Sequence, residues 1–266
     1  MNNVITGLAS TLSTAVNNVQ SEIVKTQTDL AAGKRTLNPG ETGVVTRLSA
    51  QAAAYGTVVQ NVVAAQNVIN VAQSGMSSIV DIMVQMKNMA VQASSVGLSD
   101  TDRASLQETF YNLATQVASL GTSAAVNDNN LLDGTTLTVT TDITGNNDAT
   151  TSIGPVDVAT TAATIADLDI STTDGASAAL LSLTDEINTM SSGQASLSAS
   201  LAALEAQGRN AQKLSDGLSK VIDSIQNIDP TKLQAYLQNL NTQQSVDYYL
   251  VSQMNTEAAA VLTIFR

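Results

Sequence analysis

Asp100 and Asp102 stand one residue apart in "SDTDR". Two carboxylates held close can share general acid and base work. Both also follow Ser99 at the start of an apolar-periodic stretch, where Ser and Asp side chains satisfy the unpaired amides of a first helical turn. Capping is the stronger reading. "NDNNLLDG", residues 127–134, has the residue types of a calcium loop but neither its spacing nor its closing glutamate. It reads as a turn. Met76, Met83, Met86 and Met89 recur at helical spacing, which suits core or adaptable interface packing rather than metal ligation.

The chain has 266 residues and a formal charge of −12, with no histidine, cysteine or tryptophan. The commonest transition-metal ligands and the usual neutral-pH proton shuttle are therefore missing. No phosphate-cradling glycine loop or nucleophile–base pair is visible. Enzymatic activity and bound cofactors are not expected. The acidic balance argues against nucleic acid as a partner. The first residues lack a basic segment and a continuous apolar run, so they do not read as a signal peptide. No stretch has the roughly 18 apolar residues that a membrane helix needs, so membrane insertion is not expected either.

The elements are read from apolar spacing. A first helix runs from about Asn3 to Ala32, with Ile5, Leu8, Leu12, Val16, Val19 and Ile23 on its stripe. "GKRTLNPGE" interrupts it, with Pro39-Gly40 read as a turn and Lys34 and Arg35 as a solvated helix end. A second tract, about Thr42 to Ser94, carries Val59, Val62, Gln66, Ile69, Met76, Ile79, Met83 and Met86. A third opens at Ser99, with Gly121 as its stop. Thr135 to about Gly175 is rich in Thr, Asp and Gly, shows no helical stripe, and reads as a short β insertion at the tip of a long hairpin. From Leu183 to Ile225 apolar and small residues alternate four and three, the seam of a coiled coil roughly 65 Å long. Asp229-Pro230 caps a final helix bearing Leu233, Leu237, Leu240, Gln244, Asp247, Val251, Met254, Val261 and Phe265. The expected fold is mainly α: an elongated antiparallel helical hairpin or coiled coil with a small β insertion at the far end.

The two ends have more apolar surface than one shared seam can cover. Val16, Tyr248, Leu250 and Leu262 lie off it, as do Val24 and Tyr249. The tail "AAAVLTIFR" is accordingly read either as a subunit interface that orders when copies assemble or as a terminal helix docked on its own domain, and periodicity alone does not separate the two. Charge follows the same division. Lys25, Lys34 and Arg35 against Glu22 and Asp29 leave residues 1–35 at +1; Lys232 and Arg266 against Asp229, Asp247 and Glu257 leave residues 225–266 at −1; the whole −12 therefore lies between them.

Several stretches carry a family likeness. "LAAGKRTLNPGETG", "MVQMKNMAVQAS", "SDTDRASLQETF" and "NDNNLLDG" follow in the order and spacing of the bacterial flagellins, and the ending "VLTIFR" resembles theirs. The resemblance covers about residues 1–134 and 180–266. It implies a secreted structural subunit, exported unfolded by the flagellar type III apparatus, that polymerises with itself into an extracellular motility filament. Residues 1–38 and 226–266 would form an inner coiled-coil domain, 39–134 and 176–225 a helical rod domain, and 135–175 an outward-facing insertion. Sister flagellins, an export chaperone, and cap and junction proteins are implied partners. A hook–filament junction protein and a coiled-coil secretion adaptor are the rival readings. The sequence departs from the family where Glu41 alone replaces an acidic pair. Gln85 and Thr109 stand where immune-receptor motifs have a basic residue and a glutamate, which implies weak activation of the Toll-type receptor for flagellin. Exposed Ser and Thr of the insertion could carry O-linked sugars.

Overall fold

The computed structural model describes the backbone of residues 2–144 and 149–264 and the side chains of 7–144, 149–257 and 259–260. In chain order it contains α1 (Asn2–Ala32), α2 (Pro39–Ala93), α3 (Asp100–Ser123), β1 (Leu137–Thr140), β2 (Thr150–Ile153), α4 (Val158–Ala166), α5 (Thr173–Gln226) and α6 (Pro230–Ile264). Contacts divide the chain into a terminal unit, residues 1–50 with 217–266, and a central unit, residues 51–216.

Local chemistry sets the helix starts. Ser99 Oγ accepts the Asp102 amide at 3.2 Å, and Asp229 Oδ1 accepts the amides of Thr231 and Lys232, so the expected caps of α3 and α6 are present. At "NPGE" the helix begins earlier than a Pro-Gly turn would allow. Pro39 is the first residue of α2; Asn38 Oδ1 accepts the Glu41 amide at 2.8 Å, and Glu41 Oε2 accepts the Asn38 amide at 3.0 Å. This is a reciprocal capping box with proline at the first helical position, where no amide partner is lost.

In the central unit one buried column runs along α2: Val62, Ile69, Met76, Met83 and Ala90 at seven-residue intervals, with Val58, Ala65, Ala72, Ile79, Met86 and Ala93 between them. Val58 and Ala65 take the positions that sequence spacing assigned to Val59 and Gln66. On α5 the heptad column is as expected: Leu183, Met190, Leu197 and Leu204 are completely buried and Ala211 nearly so. Polar contacts hold the antiparallel register. Gln73 Nε2 donates to Ser198 Oγ at 2.9 Å, and Ser215 Oγ donates to the Ala52 carbonyl at 3.0 Å. Phe110, Ala114 and Val117 bring α3 into the same core. Arg103 is buried and donates to the carbonyls of Ala93 and Ser95, closing the end of α2. Asp100 is thus an exposed partner of Arg103, and Asp102 belongs to the cap.

Two expectations for residues 135–175 change. The hairpin exists, with Leu137 opposite Ile153 and Thr140 opposite Thr150, and Val139 and Ile153 face the core. The segment also contains helix α4, whose buried Val158, Thr161, Ala162 and Ile165 recur at helical spacing behind an Asp157 cap. Threonine and alanine density hid that stripe. The segment also packs beside the middle of α5 rather than beyond the helices: Thr151 Oγ1 donates to Gln207 Oε1 at 3.0 Å, and Val156 lies against Gly193. Gly121 is no helix stop. It is buried within α3, and a Cβ there would fall 2.6 Å from Val158 Cγ1, so its missing side chain lets α4 approach. Asn130 caps α3 instead, donating to the Gly121 carbonyl at 2.8 Å. Val126–Asn129 is a tight turn with positive φ at Asn127 and Asp128.

Candidate assembly interface

The terminal unit pairs α1 with α6. Its buried core is small: Val19, Ile23 and Leu240, with Leu237 packed on it. Leu12, Leu233, Val251 and Met254 are only half-buried along the seam, and so is Val16, which sequence spacing set off it. Leu8 is 59% exposed, Tyr249 68% and Leu250 46%. Val24, Tyr236, Val246 and Tyr248 are also exposed. The pairing therefore hides the middle of the expected stripe and leaves a second apolar face open. Ile5, Val261, Leu262 and Phe265, with most of the terminal tail, lie outside the residues whose side chains are described.

A polar rung crosses the seam above the core. Gln20 Oε1 accepts from Gln244 Nε2 at 3.5 Å and from Tyr248 Oη at 3.4 Å, both long. Asp247, on α6 beside this rung, is buried.

Below the core, the loop between α1 and α2 is tied to the end of α5. Gly33 adopts positive φ just past α1, the left-handed conformation that glycine accepts without strain. The Arg35 amide donates to the Gln226 carbonyl at 2.9 Å, and its Nε to the Ile225 carbonyl at 3.2 Å. Its Nη2 meets Glu41 Oε1 at 2.7 Å. The Asn38 amide, and then the Arg35 guanidinium, hold the Glu41 carboxyl below its usual range by stabilising its charged form. Asp29 Oδ1 accepts the Thr36 amide at 2.7 Å and the Thr36 hydroxyl. Arg35 is thus a clasp rather than a solvated helix end. Sequence spacing cannot show a partner 190 residues away; the nearer signal is the Arg35–Glu41 separation across a capping box.

The remaining sequence candidates fall in the central unit. Gln85 is exposed on α2 and Thr109 on α3, where the Thr109 hydroxyl donates to the Ser105 carbonyl. Met76, Met83 and Met86 are core side chains with no exposure. An open groove between α3 and α4 is floored by Ala114, Ala118, Ala162 and Ala163 and edged by Tyr111. Among the described residues no group of three His, Cys, Asp or Glu is placed to hold a metal ion.

Long helices with heptad seams, a folded central unit and an under-covered terminal pair define a class: a helical structural protein. The comparisons name the family. Residues 5–136 match the model of the bacterial flagellin N-terminal helical region. Flagellin FljO of Caulobacter vibrioides is 26% identical over 94% of this chain and 93% of its own length, and FljK of the same organism is equally similar. A flagellin of Halalkalibacterium halodurans is 23% identical over 75% of this chain and 74% of its own. Among solved structures, Bacillus cereus flagellin matches with a TM-score of 0.50 at 19% identity, covering 57% of this chain and 88% of that one. This chain belongs to the bacterial flagellin family.

Proposed function

We propose that α1 and α6 are the surface through which copies of this chain polymerise, with Leu8, Leu12, Val16, Val19, Ile23, Leu233, Leu237, Leu240, Tyr248, Leu250, Val251 and Met254 contributing, and Ile5, Val261, Leu262 and Phe265 continuing the stripe. The chain is a structural subunit of the extracellular bacterial flagellar filament. One observation carries the interface: the apolar residues that α1 and α6 fail to cover in a single chain lie on the terminal unit, with Leu8, Tyr249 and Leu250 all close to or above half exposed. Fully burying one such side chain is worth about 1.5–3 kcal/mol, so several together can hold a filament against the entropy of ordering the ends.

Residues 1–38 and 226–266 form the inner layer in this reading, 39–134 and 176–225 the next, and 135–175 expose the outer face of the hairpin. The near-neutral termini bring little like charge together at the axis, and the acidic remainder repels through screened solvent. Sister flagellins, an export chaperone, and cap and junction proteins are the further partners, and no catalysis is assigned. Nothing in the comparisons favours a junction protein or an adaptor. Seeding or salting-out purified protein tests the reading: long regular filaments support it, and a discrete closed oligomer contradicts it.

A further inference from the structure

Asp247 occupies the same heptad position as Leu240, seven residues earlier, which is a core residue of the α1–α6 seam. The residue is only 9% exposed. Its Oδ2 is buried, and among the described residues no donor reaches it. A carboxylate oxygen stripped of water and left without a donor destabilises whatever packing encloses it. Polar residues at single seam positions are used in coiled coils to select register and partner at a cost in stability. The neighbouring rung, Gln20 with Gln244 and Tyr248, is held by long contacts and yields easily.

The charge pattern limits what could complete Asp247. Lys25 and Lys232 are the only cations on α1 and α6, and residues 1–24 and 233–265 contain none, so the stretches of another copy that match the paired region around Asp247 offer neutral donors. Suitable groups are exposed on both helices: Asn17 and Asn18 on α1, Asn241 and Gln243 on α6.

We propose that Asp247 is a specificity-determining residue of assembly: its unpartnered oxygen takes a hydrogen bond from an amide or hydroxyl of a second copy, and until then it keeps α1 and α6 from closing tightly. This rests on the polymer reading above. A leucine there would give the isolated chain a better seam and the filament a worse one. An asparagine, which keeps an acceptor oxygen at the same place, would serve a neutral donor nearly as well.

The test compares wild-type chain with Asp247→Leu and Asp247→Asn, reading amide hydrogen exchange in the monomer and the critical concentration for growth on wild-type filament seeds. Asp247→Leu should slow exchange around Val19, Ile23 and Leu240 and raise the critical concentration, each by about tenfold, the scale of one such hydrogen bond. Asp247→Asn should grow within about threefold of wild type. Exchange at Phe110 and Val117 should stay unchanged in both, which shows that the central unit is intact. The proposal fails if Asp247→Leu grows at or below the wild-type concentration, because the carboxylate is then only a tolerated defect. It fails equally if Asp247→Leu loosens the seam, or if Asp247→Asn grows as poorly as Asp247→Leu, which would mean a charged partner. Wild-type chain that never grows on seeds would instead overturn the polymer reading.

Discussion

The backbone amide of Arg35 donates to the carbonyl of Gln226 at 2.9 Å, joining the loop after the first helix to the last turn of the fifth. The same side chain reaches Ile225 and Glu41, so one residue ties down three chain segments. Arg35→Ala leaves the end of α5 with a lost partner and should cost on the order of 1 kcal/mol locally. Amide exchange over 217–226 should quicken while exchange over the central core stays as in wild type. Unchanged exchange at 217–226 would remove the clasp from the account.

Acid should act on this clasp with a defined sign. The Glu41 carboxyl is held low in the folded chain by the Asn38 amide and by Arg35. A group depressed on folding contributes stability above its unfolded value, and that contribution is lost as pH falls through its folded value. Wild type should therefore melt above Glu41→Gln at neutral pH. The gap should shrink only once pH drops below the ordinary glutamate range. A gap independent of pH would show that the charge of Glu41 contributes nothing.

Two glycine substitutions should move stability in opposite directions. Gly121→Ala places a Cβ 2.6 Å from Val158 Cγ1 and 3.0 Å from its Cβ, and a stiff valine between two helices has little room to yield. Overpacking of this kind costs about 1–3 kcal/mol. Gly56→Ala meets no atom within 4 Å in the interior of α2 and should stabilise by about 0.5–1 kcal/mol through helix propensity. Thermal melting of the monomer reads both, and equal signs would contradict the packing described for α3 and α4.

The exposed Gln85 and Thr109 lead to a functional expectation. If receptor activation needs a basic residue and a glutamate at these places, monomer should stimulate Toll-type reporter cells weakly, and the pair Gln85→Arg with Thr109→Glu should raise the signal. Full activation by wild-type monomer would refute it.

How far the sequence foretold this depends on the distance over which each feature acts. The α5 seam was legible because Leu183, Met190, Leu197 and Leu204 repeat at seven with little interruption. Caps at Ser99 and Asp229 were legible because cap and amide lie within three residues. Helix α4 was not, since Thr161 and Ala162 make a weak stripe whose burial depends on Gly121, a distant residue. Arg103 and Asn130 close helix ends through carbonyls eight to ten residues away, a role that no local pattern marks. At the terminal unit the stripe was legible, but not how little of it α1 and α6 hide from solvent. Asp247 looked like one more seam position, and only the packed helices show that among the described residues no donor reaches its Oδ2.

The central claim is that α6 serves assembly rather than the fold of a single chain. A chain ending at Tyr236 tests it most directly, with circular dichroism and amide exchange of the monomer read beside seeded growth. The account predicts a helical monomer whose core at Ile69, Met83, Phe110 and Leu197 keeps its protection, and which adds to no filament seed. Loss of protection throughout that core, or growth equal to the full chain, would contradict it.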